Sequence, residues 1–163
     1  MKRREMLLTT GAAFLGLSAF PLRWVAGAQN KPVKILYFTR CAGFLHSVVK
    51  RNGDELSYSE KLMVEAGKEH DVEVVCSKDG RVFDGDLDQF DAFAFYTSGD
   101  VTKASGEKTP PMSVEGKKRL LDAVAAGKGF VGIHAGNDTF RAPGDQLDPY
   151  IAMLGGEFIV HGP

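Results

Sequence analysis

One histidine stands in the kind of sharp turn that enzymes use to present a reactive side chain. The run Gly132-Ile133-His134-Ala135-Gly136 has the G-x-X-x-G spacing of a nucleophile elbow, a strand-to-helix turn that lifts its central side chain above a sheet. Small flanking residues are required because the turn is tight and the apex is strained. A histidine there cannot replace a serine or cysteine nucleophile, but it can be a general base, a hydrogen-bond donor or a metal ligand. The alternative is a histidine that only packs at a strand end.

Two further side chains could support His134 in catalysis. His46 lies in the loop Thr39 to Ser47, which mixes glycine with polar residues, and it is either a pocket residue or a solvated loop residue. Asp138 follows the elbow closely and could equally cap the next helix through its side-chain oxygens. We therefore predict His134, Asp138 and His46 as catalytic residues.

A second loop, Tyr96-Thr97-Ser98-Gly99-Asp100, offers several hydrogen-bonding groups in a glycine-containing turn. Such a loop is suited to an oxygen-rich ligand such as a sugar, although turn chemistry alone also explains Ser98, Gly99 and Asp100. The predicted substrate-binding residues are Tyr96, Ser98, Gly99, Asp100 and Gly136.

Three histidines could also form a metal site. His161 comes just after a predicted fifth strand, and with His46 and His134 it would complete a cluster at one sheet edge. Three imidazoles suit zinc or a similar divalent ion with an open coordination position. The alternative is a general pocket without a metal, because sequence spacing does not show that the three rings converge.

The elements that must position these residues alternate between strands and helices. Short apolar runs rich in β-branched and aromatic residues predict five strands, and their apolar character on both faces favours a parallel sheet covered by helices. Ser57 and Glu60 form a capping box that predicts a helix ending near His70, and Ser113 predicts another that closes at Gly127. The predicted strands are Val33 to Phe38, Val72 to Cys76, Ala92 to Tyr96, Gly129 to Ile133 and Glu157 to Val160, with a helical turn over Leu87 and Phe90 and a brief helix over Pro149 to Leu154.

This alternation predicts a three-layer α/β domain with a mainly parallel sheet. In such sheets ligands bind outside the carboxyl ends of the strands. The loops that carry His46, Tyr96 and His134 all follow strands, so we expect them at that edge.

The first 28 residues read as a twin-arginine signal peptide. Lys2-Arg3-Arg4 precedes a weakly apolar stretch, and Ala26-Gly27-Ala28 resembles a cleavage site. A membrane anchor is the alternative, but the stretch is too short and too rich in Gly and Thr to span a bilayer. We therefore expect a periplasmic or otherwise exported domain over residues 29–163.

Composition narrows the classes of partner. The first 28 residues carry four basic side chains and one acidic side chain, so the remainder has a net charge of about −4 instead of −1. A chain without a basic excess does not predict a nucleic-acid partner or an acidic membrane surface. Cys41 and Cys76 are expected to be separate thiols, because twin-arginine cargo folds in a reducing cytosol before export.

The motifs together resemble the trehalose-utilisation (ThuA-like) family. The resemblance rests on Tyr37-Phe38-Thr39 with Gly43 to Ser47, on Tyr96 to Asp100, and above all on Gly129 to Ala135 with Asp138-Thr139. It covers nearly all of the chain from Lys31 to Pro163. It implies a flavodoxin-like fold related to class I glutamine amidotransferases, with His134 in place of their elbow cysteine, so amidotransferase activity is not expected.

The resemblance also implies a role in carbohydrate metabolism, with some members acting on glycosides or oxidised (3-keto) glycosides. His46, His134 and Asp138 would line the pocket. Family domains usually continue past the fifth strand, so the resemblance implies a truncated domain, and an uncovered sheet edge would favour a protein partner such as a second copy of the chain.

Two functions follow as expectations. The first is an exported carbohydrate-active enzyme, a hydrolase or lyase, that takes a small-molecule carbohydrate and has His134 as general base or ligand of a divalent metal ion. The second is a noncatalytic sugar-binding or accessory module. Neither requires a nucleic acid or a stable membrane span.

Overall fold

A computed structural model of the chain describes residues 31–142, 144 and 146–160. Four strands form one sheet: β1 (Val33–Phe38), β2 (Val72–Ser77), β3 (Ala92–Phe95) and β4 (Gly129–Gly132). All neighbouring pairs are parallel and their order is β2-β1-β3-β4. This is the strand order of the flavodoxin-like fold. The predicted α/β class with a mainly parallel sheet is therefore confirmed.

Three helices accompany the sheet: α1 (Tyr58–Glu69), α2 (Val114–Ala125) and α3 (Pro149–Leu154). The predicted capping box is present, because the Ser57 side chain accepts from the Glu60 backbone N–H while the Glu60 carboxylate accepts from the Ser57 N–H. At the start of α2 the Ser113 hydroxyl oxygen accepts a hydrogen bond from the Gly116 N–H. Each helix therefore begins at a side chain that satisfies backbone donors which the first turn leaves unpaired.

Helices cover both faces of the sheet around the central strands β1 and β3, whereas edge strand β4 stays partly open, with Val131 56% exposed. On one face an aromatic core joins the sheet to α2, α3 and a short 3-10 helix at 80–84. On the other face α1 approaches β2 so closely that a Cβ on Gly67 would lie 2.7 Å from the Val74 side chain. Helices on the two faces make the three layers that the sequence predicts. The core of the first face consists mainly of Leu36, Phe38, Phe83, Phe93, Phe95, Leu120, Tyr150 and Ile151.

A buried carboxylate ties α1 to the end of β1. Glu60 is fully buried and accepts hydrogen bonds from Thr39 Oγ1 at 2.7 Å, from Arg51 Nε and Nη2 at 2.8 Å and from the Ser57 N–H at 2.8 Å. Burial alone would raise the pKa of Glu60, but these hydrogen bonds and the Arg51 charge hold it below its usual value. Because Thr39 and Arg51 flank the loop that carries His46, this network fixes both ends of that loop.

The predicted fifth strand is wrong. Residues 156–160 form no strand, and the Phe158 N–H donates instead to the Asn137 carbonyl at 3.1 Å, in the turn after β4. A parallel neighbour of β4 would have to begin at the amino end of that strand, whereas Phe158 lies beyond its carboxyl end. The predicted ends of the third and fourth strands are also one residue too long, since Tyr96 and Ile133 fall in the loops.

Of two other predictions, the structure does not test the first and agrees with the second. Residues 1–28, the predicted signal peptide, lie outside the described residues. Within the part of the chain that the structure describes, no helix is long and apolar enough to cross a membrane. Cys41 and Cys76 are free thiols, as predicted, and burial raises the pKa of Cys76 to about 11.

Candidate functional site

The loops after β1, β3 and β4 meet at the carboxyl edge of the sheet. The crevice between β1 and β3 is the place where the strand order reverses, and ligands of doubly wound sheets bind there. Backbone pairing continues beyond the strands, since Cys41 pairs with Ser98 and Gly99 pairs with Thr139 as isolated parallel bridges. The site is therefore built on loops that extend the sheet.

Short hydrogen bonds fix the path of these loops. The Ser98 carbonyl accepts from the Ala42 N–H at 2.8 Å and from the Gly43 N–H at 3.0 Å, and the Ser98 hydroxyl donates to the Phe44 carbonyl at 2.6 Å. Gly99 has a φ of +66°, and a Cβ there would lie 2.4 Å from the Gly43 nitrogen. Gly99 therefore allows the close approach of two loops, which explains why a glycine is needed.

The backbone at His134 has the strain expected of an elbow apex. Its φ is +51°, in the left-handed region that non-glycine residues rarely adopt, and it begins a 3-10 helix over His134–Asp138. The turn is held by the Ile133 N–H, which donates to the Phe95 carbonyl at 2.8 Å, and by the Gly136 N–H, which donates to Ile133 at 3.0 Å. A Cβ on Gly132 would lie 3.0 Å from the Leu154 side chain. The small residues around the apex thus have the steric role that the sequence predicts.

Two histidines separated by 88 positions lie side by side at this edge. The ring centroids of His46 and His134 are 4.5 Å apart in an edge-on arrangement. The Tyr96 ring contacts both, at 5.8 Å from His46 and 5.6 Å from His134. Burial, with a smaller contribution from Cys41, raises the pKa of Tyr96, so its hydroxyl keeps its proton and can donate a hydrogen bond.

The two imidazoles border a cavity of about 600 Å³. That volume lies in the range of small-molecule binding sites, which typically combine apolar walls with a few polar groups. The cavity of this chain has both apolar walls and polar groups. The cavity is lined by Phe44, His46, Ser98, His134, Ala135, Asn137, Asp138 and Phe158.

The environment of His46 favours its neutral form. Burial lowers the pKa of His46 most, the neighbouring His134 lowers it further, and Asp138 acts in the opposite direction. Nδ1 of His46 is buried and has no hydrogen-bond partner among the described residues. A neutral imidazole next to a second imidazole can accept a proton from a bound molecule.

Asp138 is held by a neighbour. Its Oδ1 lies 2.8 Å from Arg141 Nε, and its backbone carbonyl accepts from the Gly99 N–H at 3.1 Å. Arg141 also donates to the Phe158 carbonyl and stands over the Phe158 ring at 5.4 Å. One guanidinium therefore connects the carboxylate of the cavity to one of its aromatic walls.

The structure brings some predicted site residues together and separates others. His46, His134, Asp138 and Ser98 line the cavity, and Tyr96 contacts both imidazoles. The other three predicted substrate-binding residues, Gly99, Asp100 and Gly136, do not line it.

The structure gives two of those three residues a role in the turns. The Asp100 carboxylate accepts from the Thr102 N–H at 3.0 Å and from its hydroxyl at 2.6 Å, which is ordinary turn chemistry. The Gly136 carbonyl accepts from the hydroxyl of buried Tyr150 at 3.0 Å. Binding roles for these residues stay predictions without support from the cavity.

The described residues do not fit a metal ion. No group of three or more His, Cys, Asp or Glu side chains within residues 31–142, 144 and 146–160 is arranged to hold one. His46 and His134 supply two imidazoles, but the Asp138 carboxylate is paired with Arg141. His161, the third predicted ligand, lies outside the described residues, so the three-histidine site stays a prediction.

Sequence reasoning missed the aromatic walls of the cavity and the residue that holds one of them. Phe44 adjoins His46, and its position in a polar loop was a signal that could have identified it. Arg141 follows Asp138 at a spacing of three, which is a common spacing for ion pairs in helical turns. Phe158 had no such signal, because its apolar neighbours predict a strand.

No protein-family model, curated protein or solved structure matches this chain.

Proposed function

We propose that this chain is an exported carbohydrate-active enzyme domain of the trehalose-utilisation type, acting on glycosides or 3-keto-glycosides. The observation that carries the proposal is the pair of imidazoles, His46 and His134, 4.5 Å apart beside a cavity of about 600 Å³. His134 acts as the general base, and His46 and Asp138 support it. The compartment in this proposal comes from the predicted export signal, and the substrate class comes from the resemblance of the motifs to the family.

The chemistry of a 3-keto-glycoside suits two neighbouring imidazoles. The carbonyl at C3 acidifies the proton on C2, so a base of moderate strength can remove it. The electron pair left on C2 then expels the aglycone oxygen from C1, and that oxygen takes a proton as it departs. Water adds to the resulting double bond and gives the free 3-keto sugar.

Two imidazoles can share these proton transfers. Two positive charges at 4.5 Å repel each other, and this repulsion, after burial, is a cause of the lowered pKa of His46. The pair therefore favours a state in which one ring is free to accept a proton. The other ring can return a proton to the leaving oxygen, while Tyr96, whose ring contacts both imidazoles, can donate its hydroxyl proton to a sugar oxygen.

The experiment compares release of sugar from glycosides and 3-keto-glycosides by the wild type and by two histidine variants, with and without chelator. His134→Gly is the informative change, because glycine adopts a φ of +51° freely and the turn is kept while the imidazole is lost. His70→Gln is the matched control, because His70 is exposed at the end of α1. We expect His134→Gly to lose roughly 10² to 10⁴-fold in kcat/KM, and His70→Gln to lose less than about twofold. Sugar release by His134→Gly at the wild-type rate would exclude the assignment.

A noncatalytic sugar-binding or accessory module is the second candidate. Two observations favour it: the elbow carries a histidine where hydrolases carry a serine or cysteine, and Arg141 already pairs with the Asp138 carboxylate. Calorimetric binding of a glycoside without turnover would support this candidate. Turnover that depends on His134 would exclude it.

A further inference from the structure

The walls of the cavity include two phenyl rings that are fixed without being fully covered. Phe44 is 72% exposed, yet its carbonyl is held by the Ser98 hydroxyl and its ring packs edge-on against His46 at 4.8 Å. Phe158 is held through its backbone by Asn137 and through its ring by Arg141. Exposed aromatic surface beside a cavity is surface that a ligand can cover.

The charges around the cavity are already compensated. The Arg141 guanidinium is paired with Asp138 at 2.8 Å, and it also contacts the carbonyls of Phe158 and Ile159 and the Phe158 ring. His46 tends to be neutral because burial and His134 lower its pKa. A phosphate or carboxylate on a ligand would lose its hydration on entering the cavity. It would not form an ion pair in exchange, because the lining residues that the structure describes include no lysine or arginine. Burying a charge without such a partner is costly, so the lining favours an uncharged ligand.

The size of the cavity indicates more than one ring. Ligand sites of about 300 to 1,000 Å³ hold drug-sized molecules, and a volume of about 600 Å³ lies well inside that range. The lining combines polar side chains with two phenyl rings, and the Phe44 ring lies directly beside the His46 imidazole, with ring centroids 4.8 Å apart. A ligand that uses both parts has a hydroxylated end and an aromatic end.

We infer that the cavity binds an uncharged glycoside with an aromatic aglycone, whose sugar faces His46 and His134 and whose aglycone lies against Phe44 and Phe158. This inference rests on the proposed function and names the substrate class within it. Phe44 and Phe158 then determine specificity. They select the aglycone and take no part in proton transfer.

Binding of six probes tests this assignment: the α and β anomers of phenyl glucoside, the α and β anomers of methyl glucoside, glucose 6-phosphate, and phenol. Dissociation constants are measured by calorimetry on the full chain and on two variants. Phe44→Ala removes an exposed ring, and Leu62→Ala is the matched control, an apolar residue on α1 that is 47% exposed. Far-UV circular dichroism checks that both variants keep the fold.

We expect the phenyl glucoside to bind at least about tenfold more tightly than the methyl glucoside, and Phe44→Ala to reduce this preference to less than about threefold. Leu62→Ala should keep the wild-type preference. Glucose 6-phosphate should bind more weakly than the phenyl glucoside.

Each contrary result has a distinct meaning. Equal binding of the phenyl and methyl glucosides, or a preference that Phe44→Ala leaves unchanged, overturns the aromatic aglycone and leaves the proposed function intact. Tighter binding of glucose 6-phosphate overturns the uncharged substrate class. Binding of phenol as tight as that of phenyl glucoside, or no binding of either glucoside, overturns the proposed function together with the inference.

Discussion

Glu60 offers a sharp test of how the loop that carries His46 is held in place. Its fully buried carboxylate accepts four hydrogen bonds, from Thr39, Ser57 and two nitrogens of Arg51. Glu60→Gln keeps the size of the side chain but removes the charge. It also replaces one acceptor oxygen by an NH2 group, which then faces other donors. Breaking a buried ion pair by changing one partner costs about 3 to 5 kcal/mol, so we expect a loss of about 3 kcal/mol in the free energy of unfolding.

The matched control lies three residues before the helix. Glu55 pairs with Lys61, and both side chains are more than half exposed. Solvent and salt screen exposed ion pairs, so Glu55→Gln should leave the free energy of unfolding close to the wild-type value. Urea unfolding followed by circular dichroism measures both variants, and an unchanged m value shows that the denatured states are comparable.

The pH dependence of this difference gives a second check. The folded pKa of Glu60 lies below its usual value of 4.5, so the unfolded chain binds the proton more readily. The stabilisation by this carboxylate is therefore complete above pH 4.5 and is lost as the pH falls through the folded pKa. The gap between wild type and Glu60→Gln should be constant from pH 6 to 8 and should narrow below about pH 4.5.

Two outcomes would refute this reasoning. The first is a Glu60→Gln variant as stable as Glu55→Gln at pH 7. The second is a large gap that does not narrow in acid, because it would come from altered packing and would not reflect loss of the charged network.

Further predictions concern the histidine pair and the crossing of the loops. His134→Gln should raise the pKa of His46 by removing the neighbouring charge, whereas Asp138→Asn should lower the pKa of His46. NMR titration of the ring protons measures both shifts, and two shifts of the same sign would contradict the electrostatics. Because the folded pKa of His46 is lowered, the stability linked to its neutral form is present above pH 6.5 and declines as the pH falls below 6.5. Unfolding of wild type and His46→Gln measured at a series of acid pH values checks this. Gly99→Ala should lower the free energy of unfolding by about 2 to 4 kcal/mol, because the φ of Gly99 is +66° and a Cβ would lie 2.4 Å from a backbone nitrogen. Gly106 lies in open space, so Gly106→Ala should leave thermal unfolding unchanged. Equal melting temperatures for the two alanine variants would argue against the close approach.

The regular elements could be predicted because their signals are local. The four strands of the sheet are short apolar runs, and the prediction for β1, Val33 to Phe38, matches its observed bounds. The start of α1 could be predicted from Ser57 and Glu60, because a capping box depends on residues three apart. Such interactions depend only on a few residues that are close together in the sequence.

The wall of the cavity could not be predicted in the same way. The run around Phe158 has the apolar character of a strand, but its position depends on where α3 directs the chain and on contacts with Asn137 and Arg141. The meeting of His46 with His134 was only an expectation from strand order, since parallel strands bring their carboxyl ends to one edge. Long-range contacts of this kind are decided by packing.

The bridges that pair Cys41 with Ser98 and Gly99 with Thr139 also bear on how this surface could change. They join main chain to main chain, so the course of each loop does not depend on the side chains at 44, 46 or 134 that face the ligand. New side chains could be introduced at positions 44 and 46 without re-routing the backbone, whereas position 134, with its φ of +51°, accepts few residue types. A ligand would meet loops whose conformational entropy folding has already removed. The carboxyl edge of this sheet is therefore a suitable starting point for directed evolution of ligand preference.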